Sequence, residues 1–241
     1  VKYSDLTEFI KTRSLTATSD FTALSKCDVI VICVPTPLTP QREPEMKYIG
    51  ATARDIAAHL SVGQLIILES TSYPGTTTGF LKPILESTGL RSGQDFFLGF
   101  SPEREDPGNA MFRTSNIPKV VSGDGAFALR LVEQFYGAVV DVTVPVSSTE
   151  TAEAVKLTEN IFRAVNIALV NELKMVFAEM DIDIWEVIDA AKTKSNQETA
   201  MPLANTSSTV PVVVDEAKCI ADKGCTVCVE VCPLDVLRIS E

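Results

Sequence analysis

Apolar runs of strand length alternate with helical patterns along most of the chain, and this alternation constrains the fold more than any other feature. The best strand candidates are Asp28–Val34, Gln64–Glu69 and Phe96–Phe100, with weaker ones at Lys119–Ser122 and Val139–Val144. Near-continuous β-branched runs such as Val29–Val34 are typical of strands that are buried on both faces. The alternation therefore predicts an α/β fold with a parallel sheet and helices on both of its faces.

The predicted helices lie between and after these strands. Amphipathic helices are predicted at Tyr48–Leu60, Thr76–Ser87 and Gly125–Tyr136. Ser147 and Glu150 match a capping box, which opens a helix that extends to about Met180, and Ile184–Ala191 follows as a shorter helix. The long helix has an apolar stripe at helical spacing, formed by Ala154, Leu157, Ile161, Val165, Ala168 and Leu169.

Composition excludes several kinds of protein. The net charge of −11 and the pI near 4.7 argue against nucleic acid or an anionic membrane as the main partner. No apolar run is long enough to predict a membrane span, and the N-terminus shows no secretory signal. Four of the six cysteines are clustered near the C-terminus, which is typical of a metal site and favours a reducing cytoplasm.

Three strand ends are rich in groups that could contact a ligand. The first strand ends in Val34-Pro35-Thr36, and the second leads into Glu69–Thr77, which contains hydroxyls and Gly75. The third leads into Ser101–Gly108, which contains acids and an arginine. Because nucleotides bind at the carboxyl edge of open α/β sheets, we expect these loops to form one crevice.

The phrases VIVICVPTPL, LESTSYPGTT, FSPEREDPGN and TAEAVKLTENIFRAVNIALVNEL resemble the bacterial UDP-glucose/UDP-N-acetyl-aminosugar dehydrogenase family, in order and at family spacing from about Thr16 to Ala191. The resemblance implies a partial doubly wound, Rossmann-like sheet and a long helix that packs subunits into a homodimer through residues 149–180. It also implies NAD-dependent oxidation of the C6 alcohol of a UDP-sugar to the uronate, for surface polysaccharide synthesis. The phrase SPEREDPGN favours UDP-N-acetylglucosamine or UDP-N-acetylmannosamine as the sugar.

The resemblance also implies roles for individual residues. Thr71 would position water or substrate beside the nicotinamide, and Glu103 would act as an acid or base. Lys156 and Asn160 lie four residues apart on one helical face and would stabilise the oxyanion at C6. The residues that would contact the cofactor are Val34, Pro35, Thr36, Ser70 and Thr71. From the residues alone, Lys156 could equally be a solvated charge, Glu103 a surface acid and Thr71 a helix cap.

Two expected parts of this family are missing from the sequence. It has no Gly-x-Gly-x-x-Gly turn, which would hold the NAD pyrophosphate, and no cysteine between Cys33 and Cys219 that could form a thioester. Our hypothesis is that the chain is an inactive fragment or chimera that does not turn over a UDP-sugar by itself. We expect a partial NAD-binding domain at 1–147, a central helical region at 148–194 and a linker at 195–211.

The remaining residues, 212–241, contain the cysteine cluster. Cys219, Cys225, Cys228 and Cys232, the last followed by Pro233, resemble half of a bacterial-type ferredoxin with a [4Fe–4S] cluster. In that fold the first three cysteines bind one cluster and the fourth serves another. A structural zinc ion is the main alternative to the cluster, since four closely spaced thiolates can also bind zinc.

Three interpretations of the whole chain stay open at this point. The joint between the two segments could be a genomic fusion or an assembly artefact. The tail could form an iron–sulfur electron carrier fused to the dehydrogenase segment. The long helix could make the chain a non-catalytic dimerisation module.

Overall fold

A five-stranded sheet forms the centre of the fold. Its strands follow chain order: β1 (Val29–Ile32), β2 (Leu65–Leu68), β3 (Phe97–Phe100), β4 (Lys119–Gly123) and β5 (Thr143–Pro145). Strands β1, β2 and β3 are parallel, with Val29 opposite Leu65 and Leu65 opposite Phe97. Strand β4 runs antiparallel to β3, and β5 is parallel to β4. The predicted α/β fold is therefore confirmed, with one antiparallel step that the alternation of elements did not predict.

The structure, a computed structural model, describes residues 8–12, 14–104 and 116–193. The described residues belong to two units, one comprising residues up to 104 together with 116–154, and the other comprising 155–193. The predicted linker at 195–211 and the cysteine segment at 212–241 lie outside the described residues. None of the helices in the described ranges is both long and apolar enough to cross a membrane.

The helices lie close to their predicted positions. They are α1 (Lys47–Ala57), a π-helical turn (Thr76–Leu81) that continues into α2 (Lys82–Glu86), α3 (Ala126–Gly137), α4 (Thr149–Ala178) and α5 (Ile184–Lys192), and a 3₁₀ turn (Phe21–Lys26) precedes β1. The first turn of α5 is capped by Asp183, which accepts a hydrogen bond from the N–H of Trp185.

The predicted capping box at the start of α4 is wrong by one residue. Ser148, and not Ser147, accepts the N–H of Thr151 at 3.1 Å, and its carbonyl oxygen accepts the N–H of Ala152. The Glu150 carboxylate accepts a hydrogen bond from the Thr78 hydroxyl instead of completing a box. A tertiary partner has therefore replaced the local one.

Two glycines allow α3 to lie close against the sheet. A Cβ on Gly99 would stand 2.4 Å from a methyl group of Val132, and one on Gly123 would stand 2.1 Å from the backbone nitrogen of Leu129. On this face Leu65, Ile67 and Val121 form a core cluster with Val132, Tyr136 and Val140. Because Val140 packs into this cluster, β5 begins at Thr143 and not at the predicted Val139.

Burial differs between the first two strands. All four residues of β2 are buried, as the apolar run predicts for a strand that is covered on both faces. In β1, Ile30 and Ile32 are buried whereas Val31 is 36% exposed. The prediction of burial on both faces is therefore wrong for β1, which has a neighbouring strand on one side only among the described strands.

Candidate active site

The loops that follow β1, β2 and β3 line a pocket of about 260 Å³ at the carboxyl ends of these strands. Its lining residues are Cys33, Val34, Pro35, Thr36, Glu69, Ser70, Thr71 and Glu103. The structure thus brings together the six residues of the first unit that the sequence assigned to a site. Cys33 and Glu69 are additional members that the sequence did not assign.

Ser70 fixes the distance between the two loops. Its hydroxyl accepts the N–H of Val34 at 2.8 Å and donates to the carbonyl oxygen of Val34 at 2.7 Å. The side chain is buried, so these bonds are shielded from competition with water. Ser70 therefore joins the β1 loop to the β2 loop on one side of the pocket.

Thr71 is half-buried and is not the N-cap of the helical turn that follows it. The residue that caps the π-helical turn is Gly75, in a left-handed conformation with φ of +92°. The alternative that Thr71 acts as a helix cap is therefore wrong. Thr71 lies in the loop between the bond made by Ser70 and this turn, and it lines the pocket.

Glu69 forms the polar floor of the pocket together with three partners from other elements. Its Oε1 accepts hydrogen bonds from Lys119 Nζ at 2.6 Å and from the hydroxyl of Tyr136 at 2.5 Å, and its Oε2 accepts from the Cys33 thiol at 3.3 Å. The ammonium of Lys119 also lies 4.9 Å from the centroid of the Tyr136 ring. One carboxylate therefore ties together β2, β4, α3 and the loop after β1.

The network shifts the pKa values of Glu69, Cys33 and Tyr136. Burial would raise the pKa of Glu69, but the hydrogen bonds from Lys119 and Tyr136 outweigh it and lower the pKa. Burial, followed by the adjacent Glu69, raises the pKa of the Cys33 thiol to about 11, and the same two causes raise the pKa of Tyr136. At neutral pH Glu69 is therefore charged, while Cys33 is a protonated thiol and a poor nucleophile.

Cys33, which the sequence places inside the predicted strand Asp28–Val34, is not part of the sheet. Its side chain is exposed and lines the pocket. The cause is the end of β1 at Ile32, which leaves Cys33 outside the sheet and beside Glu69. The sequence contained one usable signal, since Cys33 and Glu69 each lie among the last two residues of a predicted strand, at the predicted ligand edge.

The third loop begins at Ser101. The buried Ser101 hydroxyl donates to the carbonyl oxygen of Val120 at 2.7 Å, and Arg104 donates from Nη1 to the carbonyl oxygen of Pro118 at 2.6 Å. These bonds fasten the loop to the start of β4. Between them lies Glu103, which is exposed and lines the pocket, so its role as an acid or base and its interpretation as a surface acid both stay open.

Lys156 and Asn160 lie on α4, in the part of the helix that belongs to the second unit. They are four residues apart and therefore share one helical face. Lys156 is half-buried and Asn160 is exposed. The assignment of this pair to an oxyanion site stays a prediction.

The donor set of the pocket defines the groups that it fits. Among the described residues, two carboxylates, three hydroxyl-bearing residues and the backbone of the β1 loop line it, and these described lining residues include no lysine or arginine. Such a set accepts hydrogen bonds from hydroxyl and amide groups and tolerates a cation, whereas it disfavours a phosphate. A ribose or a nicotinamide carboxamide fits this chemistry, and a pyrophosphate does not.

Two family descriptions match the chain. Residues 4–140 match the NAD binding domain of the UDP-glucose/GDP-mannose dehydrogenase family, and residues 150–207 match its central domain. The first match begins before Thr16 and the second continues beyond Ala191, so both extend past the range of the resemblance that the sequence phrases defined.

Individual relatives agree with these matches. The chain is 40% identical over 194 residues to the UDP-N-acetyl-D-glucosamine 6-dehydrogenase of Pseudomonas aeruginosa. The matched segment covers 80% of this chain and 46% of the relative. The chain is 35% identical over 188 residues to the UDP-N-acetyl-D-mannosamine dehydrogenase of Pyrococcus horikoshii, covering 78% and 45%. The chain thus spans about half the length of the curated relatives that it matches.

Solved structures show the same fold. The UDP-D-ManNAc dehydrogenase of Pyrococcus horikoshii superposes with a TM-score of 0.74 at 35% identity, over 79% of this chain and 46% of that chain. A GDP-mannose dehydrogenase from Pseudomonas aeruginosa, solved as a ternary complex, gives a TM-score of 0.72 at 27% identity, over 78% and 44%.

Proposed function

Because the chain belongs to the UDP-glucose/GDP-mannose dehydrogenase family, we propose that its pocket binds the nicotinamide riboside part of NAD and contributes to the oxidation of a UDP-sugar. One observation carries this proposal. Every pocket-lining residue in the described part of the chain lies within residues 4–140, the range that matches the NAD binding domain of the family.

The pocket residues have separate tasks in this proposal. The backbone and side chains of Val34, Pro35 and Thr36 hold the nicotinamide riboside, and Ser70 keeps the two loops at the distance that this requires. Thr71 orients the reacting alcohol or a water molecule. NAD, when bound, supplies the hydride acceptor for the alcohol carbon.

Proton transfer and charge stabilisation fall to residues outside the two loops. Glu103 accepts or returns the proton of the reacting oxygen, since a carboxylate in a pocket is suited to general acid–base work. Lys156 and Asn160 stabilise negative charge on that oxygen through a cation and an amide. Their support is the family phrase in α4 and their four-residue spacing.

The substrate that we propose is a UDP-N-acetylaminosugar, oxidised at C6 to the uronate for surface polysaccharide. The relatives named for UDP-N-acetyl-D-glucosamine and UDP-N-acetyl-D-mannosamine match at 34–40% identity, which supports this class. We also retain the hypothesis that the chain by itself does not turn over a UDP-sugar, since no cysteine occurs between Cys33 and Cys219.

Thermal unfolding with added ligands tests the proposal. NAD+ should raise the Tm of the 241-residue chain, and the N-acetylated UDP-sugars should raise it more than UDP-glucose does. Absence of any shift with NAD+ would refute the cofactor site, and a preference for UDP-glucose would refute the substrate class. The near-ultraviolet absorbance of NADH, followed in the same samples, should show no steady increase; an increase would refute the hypothesis that the chain by itself does not turn over a UDP-sugar.

We further propose a homodimer that is formed through α4. Three members of its apolar stripe are exposed in the single chain, namely Ile161 at 61%, Val165 at 60% and Leu169 at 42%. An exposed apolar surface of this length is typical of an interface. Sedimentation velocity should show a dimer for the wild type and a monomer for Ile161→Glu, whereas the matched control Glu172→Lys on the same helix should remain dimeric. A monomeric wild type would refute the dimer.

The cysteine segment supports a second proposed activity, the binding of a [4Fe–4S] cluster by Cys219, Cys225 and Cys228, with Cys232 as a further ligand. The support is their spacing and the following Pro233. Within the described residues no three potential metal ligands come together, and these cysteines lie outside that part of the chain. Anaerobic reconstitution should give visible absorption with iron and sulfide in equal amounts; stoichiometric zinc without iron would identify the alternative metal.

A further inference from the structure

Glu153 is a fully buried carboxylate that the mechanism above does not use. It lies in the first turns of α4, within the first unit, and its side chain has no exposed surface. Its Oε2 accepts the N–H of Gly75 at 2.6 Å, and its Oε1 accepts both the N–H of Thr77 at 2.8 Å and the Thr77 hydroxyl at 2.7 Å. Its partners are 76 and 78 residues away in the sequence.

Three hydrogen bonds compensate for the burial of the Glu153 carboxylate. A buried carboxylate is costly unless hydrogen bonds replace its water, and here three donors do so. Two of the donors are backbone N–H groups at the start of the π-helical turn, which have no partner within the helix and lie at its positive end. Burial raises the pKa of Glu153, while the donors on Thr77 and Gly75 oppose that change.

The conformation of Gly75 is part of the same arrangement. Its φ of +92° is in the left-handed region, which a residue with a side chain rarely adopts, and it directs the Gly75 N–H toward Glu153. One turn earlier on α4, Glu150 accepts a hydrogen bond from the Thr78 hydroxyl. Glu150 is half-buried, so this second contact is more open to water than the first.

The turn that Glu153 holds is the end of the pocket loop. This loop runs from Glu69 to Gly75, and at its beginning Glu69 is bonded to Lys119 and Ser70 to Val34. At its end it is bonded to Glu153. Thr71 lies between these two fixed ends.

We propose that Glu153 is a positioning residue, which fastens the far end of the Glu69–Gly75 loop to the start of α4 and so fixes Thr71 in the pocket. The loop is short and fixed at both ends, so release of one end gives Thr71 freedom that a bound ligand must then remove at a cost in affinity. The ligand-binding part of this inference rests on the proposed function, whereas the fastening itself does not.

Amide hydrogen exchange of the full chain, with and without Glu153→Gln, tests the fastening without a ligand. Glutamine keeps the size of the side chain, but its NH₂ group faces the N–H of Gly75 or Thr77 and cannot accept from it. Exchange at Gly75 and Thr77 should become about ten-fold faster, and exchange at Thr71 and Ser72 should also increase. The matched control Glu150→Gln should leave exchange at all four amides within about two-fold.

Unchanged exchange at Gly75 and Thr77 in Glu153→Gln would overturn the proposal, and so would faster exchange that stops short of Thr71 and Ser72. If Glu153→Gln does not fold, Thr77→Val removes the hydroxyl donor alone and should give a smaller increase in exchange at the same amides. Absence of any increase would also overturn the proposal.

In a titration with NAD+ below the Tm, Glu153→Gln should bind NAD+ about five-fold more weakly, while Glu150→Gln binds it as the wild type does. If the wild type binds no NAD+, the proposed function fails, and the exchange at Thr71 and Ser72 still decides the role of Glu153.

Discussion

Substitution of either Glu69 or Lys119 should lower the free energy of unfolding, because both side chains are largely buried. The two side chains are only 17% and 10% exposed, and Nζ lies 2.6 Å from Oε1. Lys119→Met would leave the Glu69 carboxylate with the hydroxyl of Tyr136 and the thiol of Cys33 as its donors. Glu69→Gln would leave the ammonium of Lys119 buried without a counter-charge. Loss of one partner of a buried pair costs about 3 kcal/mol or more, and we expect each single variant to lose about this much.

The double variant Glu69→Gln/Lys119→Met separates the pair from its surroundings. Because it leaves no buried charge, it should lose less than the sum of the single variants, with a coupling energy of about 2 kcal/mol. Urea unfolding at pH 7, with both midpoint and slope determined, measures all four proteins. Additive losses, or single losses below about 1 kcal/mol, would refute the view that this is a buried and coupled pair.

Three further outcomes follow from single residues. The pKa of Glu69 is lower in the folded chain than the ordinary glutamate value of 4.5. The ionised Glu69 carboxylate therefore adds to the free energy of unfolding above pH 4.5, and this contribution is lost as the pH falls through the folded pKa. In urea titrations, the stability difference between wild type and Glu69→Gln should accordingly shrink below pH 4.5. Gly123→Ala should destabilise the fold by more than about 2 kcal/mol, since the new Cβ would meet the backbone of Leu129. The control Gly137→Ala places its Cβ in open space and should change stability by less than about 1 kcal/mol. Equal effects of the two variants would contradict the close packing of α3 at Gly123. Ser72→Ala should stabilise by about 1 kcal/mol in thermal unfolding, because the buried Ser72 hydroxyl has no partner among the described residues, and a loss of stability would reveal one.

The sheet could be predicted from sequence because its strands are short apolar runs bounded by polar residues. The ends of β2 and β3 differ from prediction by no more than one residue. The error at β5 has a specific cause, since Val139 and Val140 have the composition of a strand but Val140 packs against α3 after that helix ends. The local sequence pattern cannot distinguish a strand residue from an apolar residue that packs against a helix.

The pocket could be predicted in outline, and its polar floor could not. The carboxyl ends of strands β1, β2 and β3 identified the loops that contain Val34, Thr71 and Glu103. The partners of Glu69, however, are 50 and 67 residues away, on β4 and α3. The pairing of a buried acid with a buried cation depends on tertiary packing, which a single sequence does not display.

The binding of NAD+ to the 241-residue chain is the central claim, and calorimetric titration tests it most directly. Val34→Trp places a large ring in the pocket, while Val62→Trp places the same ring on an exposed turn before β2, where Val62 is 69% exposed. The account predicts saturable NAD+ binding by the wild type and by Val62→Trp, and loss of binding by Val34→Trp. Absence of binding by the wild type, or equal binding by all three proteins, would contradict it.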